Sequence, residues 1–356
     1  MTSTATRRER APLLATANLP VLAGILLLLV VGSMVLAVGL GPVSVPPGEV
    51  ADVLVRHLFG GGTPGRFDFI VWELRAPRVV EGAFVGAGLA VAGVLTQAMT
   101  RNPLGEPYVL GLSSGAAVGA VLVITTISSA ALGLVTLPAA AFAGSLLTAV
   151  GVFLLARAGR RTSPGRMVMA GIALAQLLSG VVSFLLLRTK NPEAQQQVLF
   201  WLLGSLAGAQ WPLTIACVAL VGVLLVVSLA GAGRLNLLVL GDDGAAALGL
   251  NAARLRLVLL VVVTLLTGTV VAVSGSIGFV GLVVPNLTRL LVGADHRRSL
   301  PVSALLGALV LVWADTAARL VLAPTELPIG ILTAAVGVPV FLFVLRRSSA
   351  GVVGLS

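Results

Sequence analysis

Apolar stretches of about 20 residues, the length needed to cross a bilayer, recur along this chain with only short polar loops between them. Most of these stretches are apolar on every side. Such a run is stable in hydrocarbon as a helix, which closes its own backbone hydrogen bonds. A transmembrane β-barrel would instead alternate apolar and polar residues. Ordinary soluble domains carry far more charge than the 10% found here and fewer apolar residues than the 58%. The expected fold class is therefore all-α: a polytopic membrane protein of about ten transmembrane helices.

Candidate spans are Leu19–Leu40, Val79–Met99, Val109–Ile127, Leu134–Ala156, Met167–Leu187, Val198–Leu229, Leu255–Val273, Ile277–Val292, Leu300–Leu322 and Ile329–Leu345. Gly208 to Pro212 interrupt the sixth, so Val198–Ala207 reads as a short outer-side helix leading into one span. Charge orients the set. With the N-terminus inside, 16 of the 23 basic residues fall on the cytoplasmic side and 7 outside, as the positive-inside rule asks. An extra crossing after Ala209 would send Arg234, Arg254, Arg256 and the C-terminal arginines outside. Residues 1–18 then form a basic cytoplasmic tail, 19–347 one transmembrane domain with a cytoplasmic loop at about 234–254, and 348–356 a cytoplasmic C-terminal tail. Arg7-Arg8-Glu9-Arg10 before an apolar run looks like a signal peptide. That run is too long for one and lacks a clear cleavage site, so it reads as an uncleaved span. Pro46–Phe59 reads as an amphipathic helix on the outer surface, with Val50, Val53, Leu54 and Leu58 on one face, or equally as a structured loop.

Several function classes drop out. The net charge of +10 lies between apolar runs, where anionic lipid explains it and nucleic acid is not needed. A single cysteine, Cys217, rules out an intrachain disulfide and a cysteine-built metal site. The only lysine is Lys190, in Thr189-Lys190-Asn191-Pro192, so the chain holds no phosphate-gripping Walker A loop. Any ATP-driven activity needs a second polypeptide. Gly82 and Gly86, and Gly111, Gly115 and Gly119, recur every four residues and point to close helix crossings. Gly111-Leu112-Ser113-Ser114-Gly115 also fits G-x-S-x-G, which leaves an intramembrane serine hydrolase using Ser113 as an alternative. A polar turn precedes Ser113 where the hydrolase elbow needs a strand. A passive channel would show intramembrane charged rings. Only Glu81, Asp315 and Arg319 come near that, all toward one face.

The stretch Arg75 to Gly119 is the most distinctive. A glycine-rich run opens on Arg75-Ala76-Pro77-Arg78, leads into the turn Asn102-Pro103-Leu104-Gly105-Glu106-Pro107, and is followed by Gly111-Leu112-Ser113-Ser114-Gly115-Ala116. This order resembles the FecCD/BtuC-type permeases of ABC importers for iron-siderophore, haem and cobalamin. Leu240-Gly241-Asp242-Asp243, Ser274 to Asn286 and Glu326-Leu327-Pro328-Ile329-Gly330 extend the resemblance from about Val45 to Arg347.

The resemblance implies an inverted repeat of two five-helix halves in a permease that carries a metal chelate, with ferric siderophore the first choice and cobalamin or haem the alternatives. It implies a transport subunit without catalytic residues, cofactor or resident metal. Its partners would be two ABC ATPase subunits, an extracytoplasmic binding protein, a second permease chain, identical or similar, and membrane lipid. The place would be the inner (cytoplasmic) cell membrane, with both termini cytoplasmic. Arg75, Arg78 and Arg319 match outer arginines that dock the binding protein, although Asp315 stands where an intrahelical pair with Arg319 competes. Glu81, one turn from Arg78, would offset part of that charge. Asp242, Asp243, Ala246, Ala247, Leu248, Gly249 and Leu250 match a coupling helix for the ATPase. Asn102, Leu104, Thr162 and Ser163 match turns at a cytoplasmic gate. The fifth and tenth spans would line the pathway.

Overall fold

The structure, a computed structural model, describes residues 13, 14, 18–61, 65–126, 133–158 and 161–349. In chain order the helices are α1 (Leu19–Gly39), α2 (Pro47–Phe59), α3 (Ala76–Thr100), α4 (Leu112–Thr126), α5 (Thr136–Ala156), α6 (Pro164–Arg188) and α7 (Pro192–Leu203). Then come α8 (Trp211–Ala230), α9 (Ala232–Leu238), α10 (Gly241–Ala247), α11 (Ala252–Ser274), α12 (Val280–Val292), α13 (His296–Leu320) and α14 (Ile329–Ser349). Among the described residues the only strands are β1 (Arg157–Ala158) and β2 (Arg161–Thr162), which pair antiparallel with Arg157 opposite Thr162. The tails expected at 1–18 and 348–356 lie almost wholly outside the described residues.

Among the described residues, seven helices are long and apolar enough to cross a bilayer: α1, α3 with the turn before it, α5, α6, α8, α11 and α13. α4, α12 and the described apolar part of α14 are shorter. Each expected stretch contains one of these helices. Large apolar side chains such as Leu28, Leu147, Leu187 and Val226 point outward. A surface so apolar suits lipid and not water.

Two helices form the centre. Their most apolar windows are 89% buried in α3 and 72% in α11. α3 packs mainly on α13, α11 mainly on α5, and the two touch each other. On the expected count of ten spans in two halves, α3 and α11 would each be second and α5 and α13 each fourth, so the two pairings match a two-fold repeat. In hydrocarbon no hydrophobic effect presses helices together, so small residues and close backbone contact carry the association. A Cβ added to Gly86 on α3 would lie 2.2 Å from the Gly307 carbonyl oxygen of α13, and one on Gly93 would lie 1.9 Å from that of Gly281 on α12. Gly115 and Gly119 of α4 meet Gly144 and Ala140 of α5 in the same way. The glycine spacing is thus a packing feature.

Some boundaries differ from the expectation. Phe69–Arg75 forms a π-helical turn, with Ala76 N donating to Val71 O, that runs straight into α3. Arg75 and Arg78 therefore lie inside a 32-residue helical run and not at its entrance. Pro77, which has no N–H to donate, lies at the junction of the π-helical turn and α3. α7 begins at Pro192, six residues before the expected short helix, because Asn191 Oδ1 accepts from Glu193 N and Ala194 N and caps it. A proline usually breaks a helix, yet α12 runs through Pro285. The Gly281 carbonyl, four residues earlier, is the one that Gly93 of α3 packs against. α2 does form, with Val50 and Val53 buried, but Leu58 is exposed.

Gly93→Ala should destabilise the protein by about 1–3 kcal/mol, the cost of overpacking. Gly222→Ala on α8, where a Cβ meets nothing within 4 Å, should be neutral or stabilise by up to about 1 kcal/mol. Thermal unfolding of the two variants in detergent checks the contrast, and equal shifts would contradict the packing account.

Candidate functional site

At the end where α3 begins, three arginines cluster, and two of them meet the last turn of α1. A helix ends with four carbonyls that lack intrahelical partners. Arg75 Nη1 donates to Val38 O at 3.1 Å and to Gly39 O at 3.0 Å. Arg319 donates to Leu40 O at 3.0 Å and Ala37 O at 3.2 Å. Two guanidinium groups thus take all four carbonyls and set positive charge against the negative pole of α1. Arg75 also donates to Val43 O. Both side chains are buried.

Arg78, one turn beyond Arg75, faces two carboxylates. Its Nε donates to Asp315 Oδ1 at 2.9 Å, and its Nη1 donates to Glu326 Oε2 at 2.8 Å. Asp315 also lies 3.1 Å from Arg319 Nε, the expected pair one turn along α13. Asp315 is almost fully buried, whereas the Glu326 side chain is 38% exposed. Glu81 is not paired with Arg78. It is buried, and its Oε2 accepts from Thr214 Oγ1 of α8 at 2.9 Å. All three arginines predicted to project outward are therefore turned into the protein, and Glu326 is the part of the cluster that reaches the surface.

In the interior, the chain between α11 and α12 unwinds from Gly275 to Phe279. Phe279 takes a left-handed φ of 67°. The turn before α4 holds this segment. Glu106 Oε1 accepts from Phe279 N at 3.0 Å, and Tyr108 Oη donates to Ile277 O and accepts from Ile277 N. Ser113 and Ser276 share a hydroxyl hydrogen bond of 2.8 Å. The His57 ring pairs with Asp68 and the His296 ring with Asn236, so neither serves Ser113 as a base. Nothing here supports the hydrolase alternative. A cavity of about 220 Å³ between α3, α8 and α13 is lined by apolar groups such as Val91, Leu225, Leu300 and Ala304, and offers nothing to a polar ligand.

At the opposite end, α10 spans Gly241–Ala247 with Asp242 and Asp243 in its first turn, where the helix dipole favours them. Gly249, at φ 78°, ends it: Leu250 N donates to Ala245 O and Gly249 N to Ala246 O. Asp243, Ala246, Ala247 and Leu248 are exposed, as are Val239 and Leu240 just before them. Asp242 is about half exposed as well, but its carboxylate reaches back to α11 and to the turn after α3. It accepts from Arg256 Nη1 of α11 at 3.0 Å and Nη2, and from Arg101 in the turn after α3. The same turn holds Asn102, whose Oδ1 accepts from Leu104 N, and an exposed Leu104. Asn286 of α12 donates to Pro103 O at 2.9 Å. Ser163 caps α6, accepting from Arg166 N. The Thr162 side chain lies outside the described residues.

Sequence reasoning missed Glu106, Tyr108, Arg256, Asn286 and Glu326 as members of these clusters. Glu326 stood within the quoted Glu326-Leu327-Pro328-Ile329-Gly330 motif, and that was its only signal. Asp315→Asn should cost about 3–5 kcal/mol, since it leaves buried guanidinium charge without its carboxylate. Glu326→Gln should cost about 0–1 kcal/mol, the value of a part-exposed pair. Melting temperatures in detergent should keep that order.

Comparisons with known proteins agree with one another. The profile of the FecCD transport family matches residues 26–347. The chain is similar to the cobalamin import system permease protein BtuC of Halobacterium salinarum, 42% identical over 80% of this chain and 75% of that one. It is also similar to the Fe(3+)-citrate import system permease protein YfmE of Bacillus subtilis, 37% identical over 96% and 97%. The hemin transport system permease protein HmuU of Yersinia pestis is 41% identical over 82% and 87%. Among solved structures, a metal-chelate-type ABC transporter in an inward-facing conformation superimposes with a TM-score of 0.80, at 33% identity over 92% of this chain and 99% of that one.

Proposed function

The chain belongs to the FecCD transport family, and we propose that it is the membrane-spanning permease of an ABC importer for an iron chelate, haem or cobalamin, driven by separate ATPase subunits. The observation that carries this is the family match over nearly the whole chain, with relatives named for import of cobalamin, ferric citrate and hemin. Ferric siderophore is the substrate proposed first, because relatives named for iron(3+) chelates include ferric citrate and hydroxamate importers. Ten crossings with both termini in the cytoplasm satisfy the arginine distribution. The place proposed is the cell membrane.

The pathway would lie between two permease chains. α6 supports this, since only 17% of its apolar window is buried and Met169, Ile172, Leu177 and Phe184 are exposed. α6 and α14 would face the corresponding helices of the second chain, identical or similar. Asn102, Leu104, Thr162 and Ser163 would stand at its cytoplasmic mouth. The cargo arrives already chelated, so the walls need no metal ligands. Cells with and without the gene, given radiolabelled ferric siderophore, hemin or cyanocobalamin, test the reading. Energy-dependent uptake of one of them should vanish with the gene, and unchanged uptake of all three would overturn it.

The ATPase would dock on the exposed face of α10 and its cap: Asp243, Ala246, Ala247, Leu248, Gly249 and Leu250, with Asp242 behind them. A cysteine at Ala246 should crosslink to the ATPase subunit, and crosslinking only to an outer binding protein would reverse the topology.

The binding protein would dock at the end that holds Arg75, Arg78 and Arg319. Arg75 and Arg319 would shape that surface by holding α1, and Arg78 would meet an acidic side chain that displaces Glu326. Glu326→Gln should then tighten docking several-fold and make it more sensitive to salt, because a bare cation attracts through solvent over roughly a Debye length. Unchanged affinity and salt dependence would remove Arg78 from the docking surface.

A further inference from the structure

The polar turn after α3 is tied to the short helix α10 by one carboxylate. Asp242 accepts from Arg101, which stands at the head of that turn with a left-handed φ of 50°, and from Arg256 of α11. The two arginines differ in kind. Arg256 is 1% exposed, and its Nε has no hydrogen-bond partner, so the carboxylate of Asp242 supplies the balancing charge at its guanidinium. The Asp242 side chain is 52% exposed, but removing the partner of a buried charge is costly, so the bond to Arg256 is the stronger of the two. The Arg101 side chain is 36% exposed, and an exposed ion pair is weak and readily broken. On its other side the turn is held by Asn286 of α12 through Pro103 O.

Resting on the proposed function above, we infer that Asp242 is a positioning residue that passes displacement of the coupling helix to the turn Arg101–Glu106, with Arg256 at the start of α11 as the partner that moves with it and Arg101 as its breakable link. Asp242 therefore acts inward, while Asp243, Ala246 and Leu248 meet the ATPase. The geometry suits a two-state element. α10 moves with Asp242 and Arg256 as one unit, and the turn follows only while Arg101 holds. The turn carries Asn102 and an exposed Leu104, so its displacement alters the end of the pathway directly.

The test uses the assembled importer in lipid vesicles, with uptake per ATP hydrolysed as the readout. The probe is whichever of ferric siderophore, hemin or cyanocobalamin the wild type accumulates. Arg101→Gln should keep ATPase binding and basal hydrolysis while lowering uptake per ATP at least about fivefold, the scale of ordinary allosteric coupling. Arg101→Lys should restore much of it. In an Asp242→Asn background Arg101→Gln should have no further effect, because both remove the same link. Unchanged uptake per ATP in Arg101→Gln overturns the inference, and so do independent, multiplying effects of the two substitutions. Loss of ATPase binding in Arg101→Gln also overturns it, since the arginine would then belong to the docking surface. If Asp242→Asn fails to accumulate because Arg256 is left unpaired, Arg101→Gln and Arg101→Lys decide alone. A wild-type complex that accumulates none of the three probes would bring down the permease reading itself, which separates that failure from this one.

Discussion

Backbone groups that find no water set the terms for this molecule. In hydrocarbon an unpaired carbonyl or amide costs several kcal/mol, so every break in a helix needs a partner from elsewhere in the fold. At two of its helix breaks the chain supplies side chains. Arg75 and Arg319 take the four free carbonyls at the end of α1. Glu106 and Tyr108 take the amides and a carbonyl of the unwound segment before α12. Non-helical backbone at membrane depth is tolerated where protein surrounds it, and both breaks meet that condition.

The same solvent explains the packing. With no gain from burying apolar surface between helices, cohesion comes from backbone approach at Gly86, Gly93, Gly115 and Gly119. The result is a dense centre of α3 and α11 with apolar side chains facing outward. A core built this way leaves little interior space for a large polar cargo. That agrees with a pathway formed between two chains, where α6 keeps an unburied face.

Charge divides the two ends by task. At one end three arginines are committed to α1 and to Asp315, and Glu326 alone opens the cluster to solvent. At the other, α10 shows alanine, leucine and Asp243 outward while Asp242 points inward to Arg101 and Arg256. An exposed face tied back to a buried arginine fits the docking role proposed for α10. The short helix, its acidic first turn and its glycine cap follow from local chemistry.

The rough limits of the apolar helices, the all-α class and the α10 helix with its Gly249 stop were legible in the sequence, because hydropathy, helix dipole and left-handed glycine act within a few residues. The family resemblance was legible too, carried by motifs such as Arg75-Ala76-Pro77-Arg78. What those arginines touch was not. Arg75 reaches a helix 36 residues earlier and Arg78 a carboxylate 248 residues later. Nothing local distinguishes an arginine that caps a distant helix from one that projects to a partner. Likewise α12 runs through Pro285, while Gly275 to Phe279 unwinds where Glu106 and Tyr108 receive its backbone. Which helices end, bend or continue in lipid depends on which distant groups stand ready to bond the freed backbone, and only the tertiary structure brings those groups together.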